Sequence, residues 1–184
     1  GWNGAVKTTS PLDPPLLTVE DLRVSFRTGD GLVHAANGLS LELDAGETLA
    51  IVGESGAGKS VASLAVMGLL PTSATVTGSV RLRGRELLGL SDRAMRRIRG
   101  KDIAMVFQDA MTSLDPVFTV GNQIVETLSA HDPGLSRADA MRRAIELLDI
   151  VGVAGASRQV HSFPHEMSGG MRQRAMIAIA IANN

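Results

Sequence analysis

The sequence predicts an α/β domain, and three observations carry the prediction. Short alternating or wholly apolar runs fill the chain up to about residue 107, helical spacing takes over from about residue 110, and a glycine-rich loop at residues 53–60 joins a strand-like run to a helix-like one. At 184 residues, 44% hydrophobic and 20% charged, the chain has the makings of one ordinary domain with a filled core. Its 18 Lys+Arg against 19 Asp+Glu leave a formal charge of −1, so no bulk polycation is available to coat DNA or anionic lipid. A local basic site stays open. The absence of cysteine excludes disulfide scaffolds, thiolate metal sites and Cys nucleophiles together. One Trp, four Phe and no Tyr make an aromatic nucleic-acid platform unexpected.

The elements follow in order. Residues 1–15 are polar and Pro-rich, which reads as a flexible arm without the apolar core of a signal peptide. Residues 16–26 (LLTVEDLRVSF) alternate at Leu22, Val24 and Phe26, as a strand does, and residues 39–43 (LSLEL) alternate again before the turn signal Asp44-Ala45-Gly46-Glu47. Residues 48–52 (TLAIV) are almost wholly apolar, the pattern of a strand buried on both faces. After the loop, residues 59–70 read as an apolar helix stopped by Pro71, residues 79–83 as a strand, and residues 91–99 as a short basic helix ended by Gly100.

Residues 102–107 (DIAMVF) form a second buried-strand pattern, closing on Gln108. Helical signals then run to about Pro164. Ser136-Arg137-Ala138-Asp139 is a capping-box pattern, and Met141, Ala144, Ile145, Leu148 and Val151 follow at helical spacing. Ser168 is a good N-cap for a last helix whose residues 175–182 are apolar all round, and therefore predicted to be buried. That run is far short of the about 18 apolar residues a membrane span needs. The expectation is a soluble cytoplasmic domain that reaches a membrane only through a partner.

Gly53-Glu54-Ser55-Gly56-Ala57-Gly58-Lys59-Ser60 fits G-x-x-x-x-G-K-[ST]. Glycines let the backbone curl so that successive N–H groups face phosphate oxygens, and the following helix adds its positive dipole end. Lys59 brings a point charge to the β- and γ-phosphates, and the Ser60 hydroxyl suits Mg²⁺. In a chain of this composition only roughly 0.005 such matches arise by chance. This is a P-loop, a nucleotide site.

Two later segments narrow the class. Val106-Phe107-Gln108 ends an apolar run with an amide, and Ser168-Gly169-Gly170 lies within Glu166-Met167-Ser168-Gly169-Gly170-Met171-Arg172-Gln173-Arg174. With the P-loop, in this order and spacing, they resemble the nucleotide-binding domain of ABC transporters over about residues 16–184. Residues 107–116 (FQDAMTSLDP) look like the FQDPMTSLNP stretch of the oligopeptide/dipeptide importer branch, and residues 163–174 (FPHEMSGGMRQR) are similar to its YPHELSGGMRQR. Ala110, Asp115, Phe163 and Met167 depart from that pattern, all mildly in size.

The resemblance implies a P-loop NTPase core with an N-terminal antiparallel β subdomain and a helical insert at about residues 110–167 leading to the signature motif. It makes Gln108 the Q-loop residue and, with Ser60, a Mg²⁺ ligand. It sets Ser168, Gly169 and Gly170 against the nucleotide held by a second copy. It offers Phe26 as the adenine-stacking aromatic, with His34 a weaker neighbour; an ordinary core Phe is the competing reading. The same resemblance implies an ATP hydrolase using ATP and Mg²⁺, and a homo- or paralogous dimer. Its partners would be transmembrane permease subunits and, indirectly, an extracytoplasmic peptide-binding protein. The seat would be peripheral, on the cytoplasmic face of the inner membrane, with no nucleic acid involved. The family's Mg²⁺-binding Asp and water-polarising Glu have no counterpart here, since Asp-Glu occurs nowhere in the chain and no His follows His165. The chain thus reads as the N-terminal part of a longer ATPase, incomplete before its catalytic carboxylates and inactive alone.

Other readings remain. An ABC ATPase could serve nickel, glutathione or antimicrobial peptides, or act outside transport, and a P-loop kinase would leave the Ser-Gly-Gly segment without a purpose. Arg93, Arg96, Arg97 and Arg99 read as a solvated helix face, and His161 and His165 as structural.

Overall fold

The computed structural model describes residues 14–29, 31–54, 58–107 and 113–183. The chain divides into two compact units, Gly1–Asp92 and Arg93–Asn184.

The first unit is a sheet with a helix. Strands β1 (Leu17–Thr28), β2 (Gly31–Leu43), β3 (Ala74–Leu82) and β4 (Arg85–Glu86) pair antiparallel in the order β2-β1-β3-β4, and helix α1 (Lys59–Val66) follows the loop. The pairing of β1 and β2 is a long hairpin, from Thr28 opposite Gly31 back to Leu17 opposite Leu43. This explains why β2 starts well before the alternating residues 39–43. Its first half, rich in Gly, Ala and Asn, has little strand propensity of its own and takes its ladder from β1. Val19, Leu22, Val24 and Val80 are fully buried, each gaining about 1.5–3 kcal/mol from leaving water. Helix α1 packs on β1 and β2 through the buried Ala62 and Ala65.

The second unit is helical. Helix α2 (Asp92–Ile98) leads into it, followed by α3 (Val120–His131), α4 (Arg137–Ile150), the short α5 (Ala156–Gln159), a tight turn at Pro164–Glu166, and α6 (Gly169–Ala180). Side-chain caps start three of these helices: Thr119 accepts from Asn122 N–H, Ser136 from Asp139 N–H, and Ser168 from Met171 N–H. The predicted capping box at Ser136 forms with a variation, since the Asp139 carboxylate accepts from the Ser136 hydroxyl at 2.6 Å. Ile124, Leu128, Ala144, Leu147, Leu148, Val160 and Ala178 fill the core. Met141, Ile145 and Val151 pack against its edge. Among the described residues no helix is long and apolar enough to cross a membrane.

The two expected buried strands do not form. Residues 48–52 and 104–107 carry no ladder; a single bridge joins Arg99 to Ile103, and Val52 is 81% exposed. An all-apolar run encodes a tendency to be covered. It becomes a strand only when a neighbour supplies hydrogen bonds. No described residue pairs with either segment. Helix α1 is also shorter than expected, ending at Val66, where the Gly68 and Leu69 amides turn back on Ala65 and Leu64 carbonyls before Pro71. In α6, Ala175, Met176 and Ala178 are buried but Ile177 is 38% exposed, so the helix is covered on one side only.

Candidate functional site

The loop residues Gly53 and Glu54 are irregular and exposed, Ser55, Gly56 and Ala57 lie outside the described residues, and Gly58 closes the turn in a left-handed conformation, φ 79°. A Cβ on Gly58 would stand 2.0 Å from the Ala35 carbonyl oxygen of β2. No other residue fits there, so the loop is seated on the sheet by the absence of a side chain.

From Gly58 the chain enters α1, whose N-terminus has no side-chain cap. The first-turn N–H groups, including those of Lys59 and Ser60, have no intrahelical acceptor and carry the positive end of the dipole. Lys59 folds back, its Nζ donating to the Gly53 carbonyl at 2.6 Å and the Glu54 carbonyl at 2.7 Å. This holds the ammonium across the loop mouth. The Ser60 hydroxyl is exposed beside it, a hard oxygen donor of the kind Mg²⁺ accepts while keeping phosphate oxygens and waters as its other ligands. The donor set, the narrow glycine seat and the uncapped helix end fit a Mg-nucleotide triphosphate. Among the described residues no group of three or more His, Cys, Asp or Glu could hold a metal by itself.

Phe26 sits near the end of β1, opposite Val33 on β2 and Ala74 on β3, and is half-buried. His34 pairs with Ser25, so it lies on the other face from Phe26. Gln108 lies outside the described residues, together with Asp109, Ala110, Met111 and Thr112.

In the second unit, Ser168, Gly169 and Gly170 are exposed at the start of α6, with nothing within 4 Å of where a Gly170 Cβ would be. Ser168 Oγ caps Met171 N–H at 3.3 Å. The amides of Gly169 and Gly170 point out of the helix end without intrahelical acceptors, an open cradle for an anion. Arg172 braces it from behind, donating to the Pro164 and Met167 carbonyls at 3.3 and 2.5 Å. Glu166 accepts from Phe163 N–H at 2.8 Å, and the Phe163 and His165 rings stack at 5.6 Å, which gives His165 a structural role. Arg93, Arg96 and Arg97 are exposed on α2, the solvated face their spacing predicts.

The ABC transporter family model matches residues 36–184. The chain belongs to the ABC transporter family. The chain is 57% identical over 170 residues to the oligopeptide transport ATP-binding protein OppD of Mycobacterium tuberculosis, covering 92% of this chain and 28% of that protein. It is 50% identical to OppD of Bacillus subtilis and 49% identical to the dipeptide transport ATP-binding protein DppD of Lactococcus lactis, spanning 48% of each. The chain thus spans about half or less of the length of these relatives. Among solved structures, a dimeric bacterial ABC transporter cassette superposes with a TM-score of 0.80 at 28% identity, covering 91% of this chain and 70% of that one. The same cassette in a post-hydrolysis dimer bound to ADP and Pi superposes equally well.

Sequence reading misses one feature of the helical unit. His131 ties three segments together, its Nε2 2.9 Å from the Arg99 carbonyl and its Nδ1 near Thr127 O and Asn183 Nδ2. No sequence pattern announces that. A second unexpected feature is a β-bulge at Asp21, for which a signal exists: Val19, Leu22, Val24 and Phe26 break the two-residue period once.

Proposed function

We propose that this chain is the nucleotide-binding part of an ATPase that drives import of short peptides. The observation that carries the reading is the P-loop geometry: Gly58 seated against Ala35, Lys59 spanning the loop mouth, and α1 opening uncapped beneath it. Lys59 would bind the β- and γ-phosphates, Ser60 and Gln108 would hold Mg²⁺, and Ser168, Gly169 and Gly170 would close on the nucleotide of a second copy or paralogue. Bound Mg²⁺ would supply charge neutralisation at the γ-phosphate. Closure of the two cradles would be transmitted to permease subunits of the inner membrane, which the protein would meet peripherally from the cytoplasm. An extracytoplasmic peptide-binding protein would deliver the cargo. The relatives named for oligopeptide and dipeptide transport support peptide as that cargo, and the dimeric cassettes support assembly in pairs.

Lys59→Ala tests the reading, because it removes the only cation the loop itself brings. Calorimetry with Mg-ATP should show binding lost, and cells carrying the variant should stop taking up labelled di- to pentapeptides. Arg97→Ala, on the solvated face of α2, should leave both intact. Equal losses for the two variants would remove Lys59 from the site. Normal peptide uptake with loss of metal uptake would keep the ATPase and end the peptide assignment.

A further inference from the structure

His131 is the last residue of α3, and its ring lies where three segments meet. Nε2 is 2.9 Å from the carbonyl oxygen of Arg99, in the turn that follows α2. Nδ1 is 3.1 Å from Asn183 Nδ2, just past the end of α6. The Thr127 carbonyl, one turn back on α3, lies 3.3 Å from both Nδ1 and Asn183 Nδ2. Gly100 makes room for the ring: its φ is 78°, and a Cβ there would stand 3.1 Å from His131 Cε1.

These partners fix where the neutral ring carries its proton. A carbonyl only accepts, so Nε2 is the N–H and Nδ1 keeps its lone pair. Nδ1 accepts from the Asn183 amide, whose second hydrogen serves the Thr127 carbonyl. Turning that amide over would set its oxygen against Nδ1 and the Thr127 carbonyl, three acceptors with no hydrogen between them. One arrangement satisfies every group.

A second proton breaks it. The charged ring donates from both nitrogens, so Nδ1 then serves the Thr127 carbonyl and opposes the Asn183 N–H. Neither orientation of the amide suits both neighbours, because its NH₂ opposes the ring and its oxygen opposes the carbonyl. The last carbonyls of α3 carry the negative end of the helix dipole and favour the charge. The charged side chains of the segments around the ring are Glu126 and Asp132 at the end of α3, and Arg96, Arg99, Lys101 and Asp102 on α2 and its turn. Asp132 accepts from the Gly134 N–H at 3.1 Å, and α6 has no charged residue after Arg174.

We propose that His131 is a proton-operated clasp. Neutral, it holds the end of α6 to α3 and to the turn after α2 through Asn183. Charged, it keeps the two carbonyls and releases Asn183. The helix so held is the one that opens at Ser168, yet the clasp stands apart from the nucleotide reading, since it involves no ligand.

The test is nuclear magnetic resonance of the protein with isotope-labelled histidine and asparagine. The His131 ring is the one whose signals vanish in His131→Gln, and long-range couplings in the parent read which ring nitrogen is protonated. The expected result is a neutral ring protonated on Nε2. The Asn183 side-chain signals should move together with the ring across about pH 5–8, where imidazoles change charge. In His131→Gln, whose amide also offers one donor and one acceptor, they should stay in place over the same range.

The coupling runs both ways. A contact made only with the neutral ring opposes its protonation, so Asn183→Ala should let the ring take up its proton at an about fivefold lower proton concentration. A neutral ring protonated on Nδ1, a ring that keeps one charge state throughout, or an unchanged titration in Asn183→Ala would each overturn the proposal. Asn183 signals that ignore the ring, or that move equally in His131→Gln, overturn it too, because the proton then acts elsewhere. Should His131→Gln fail to fold, the ring is identified as the histidine whose Nδ1 signal shifts in Asn183→Ala, and the absence of any such shift overturns the clasp.

Discussion

Single residues in this chain work by what they leave out as much as by what they contribute. Gly58 has to lack a Cβ for the loop to reach β2, and Lys59 then spans that loop with two carbonyl contacts. Acidic residues do the complementary work on the sheet. Burial is the largest single influence on Glu86 and pushes it up, but the Ser79 hydroxyl, the Val80 and Leu88 amides and Arg81 together hold it below the usual carboxylate value. Hydrogen bonding from Arg23 lowers Asp21 in the same way, outweighing desolvation. Both folded values are depressed, so their stabilisation is complete above the ordinary carboxylate pKa of about 4 and is lost as pH falls through the folded values. Urea titrations at falling pH should show the midpoint drop below about pH 4. Glu86→Gln should flatten that acid limb, and an unchanged limb would remove Glu86 from it.

At the scale of elements, the helical unit is the most legible part of the chain. Ser136 and Ser168 mark helix starts, and the spacing of Ala144 and Leu148 marks the inner face, because a 3.6-residue period and a capping oxygen are local properties. Leu148 is fully buried in the middle of that core. Leu148→Ala is expected to cost about 2–5 kcal/mol, against about 1 kcal/mol for Ser136→Ala at the exposed cap. Chemical denaturation measures both, and a larger cost at Ser136 would contradict the packing described. Residues 48–52 and 102–107 mislead for the opposite reason. Their composition is that of buried strands, yet Val52, Val106 and Phe107 are exposed, since strand formation depends on a partner that a local pattern does not name.

At the scale of the whole molecule, the glycine-rich loop lies in residues 1–92 and the Ser-Gly-Gly turn in residues 93–184, two different units. Under the proposed function each serves a different nucleotide, so they should separate genetically. Ser168→Arg is expected to leave single-copy ATP affinity within about twofold of the parent and to abolish ATP-driven dimerisation, because a bulky cation replaces a capping hydroxyl at the closing surface. Light scattering with a non-hydrolysable ATP analogue reads this. Unchanged dimerisation would leave Ser168 as a helix cap and nothing more.

The sequence alone makes the expected chemistry legible: the spacing of Gly53, Gly58, Lys59 and Ser60 reads as a phosphate site, and with Ser168, Gly169 and Gly170 it points to the family whose model matches residues 36–184, because such motifs act through contiguous backbone. It also determined the helices, whose hydrogen bonds close within a few residues. The tertiary structure decided what depends on neighbours. It fixed the length of β2, taken from β1, the seat of Gly58 on Ala35, and the covering that residues 48–52 do not receive. It also absorbed the extra residue at Asp21 as a bulge opposite Gly78 on β3, which keeps Val19 and Leu22 on one buried face, because strand register is set across the sheet.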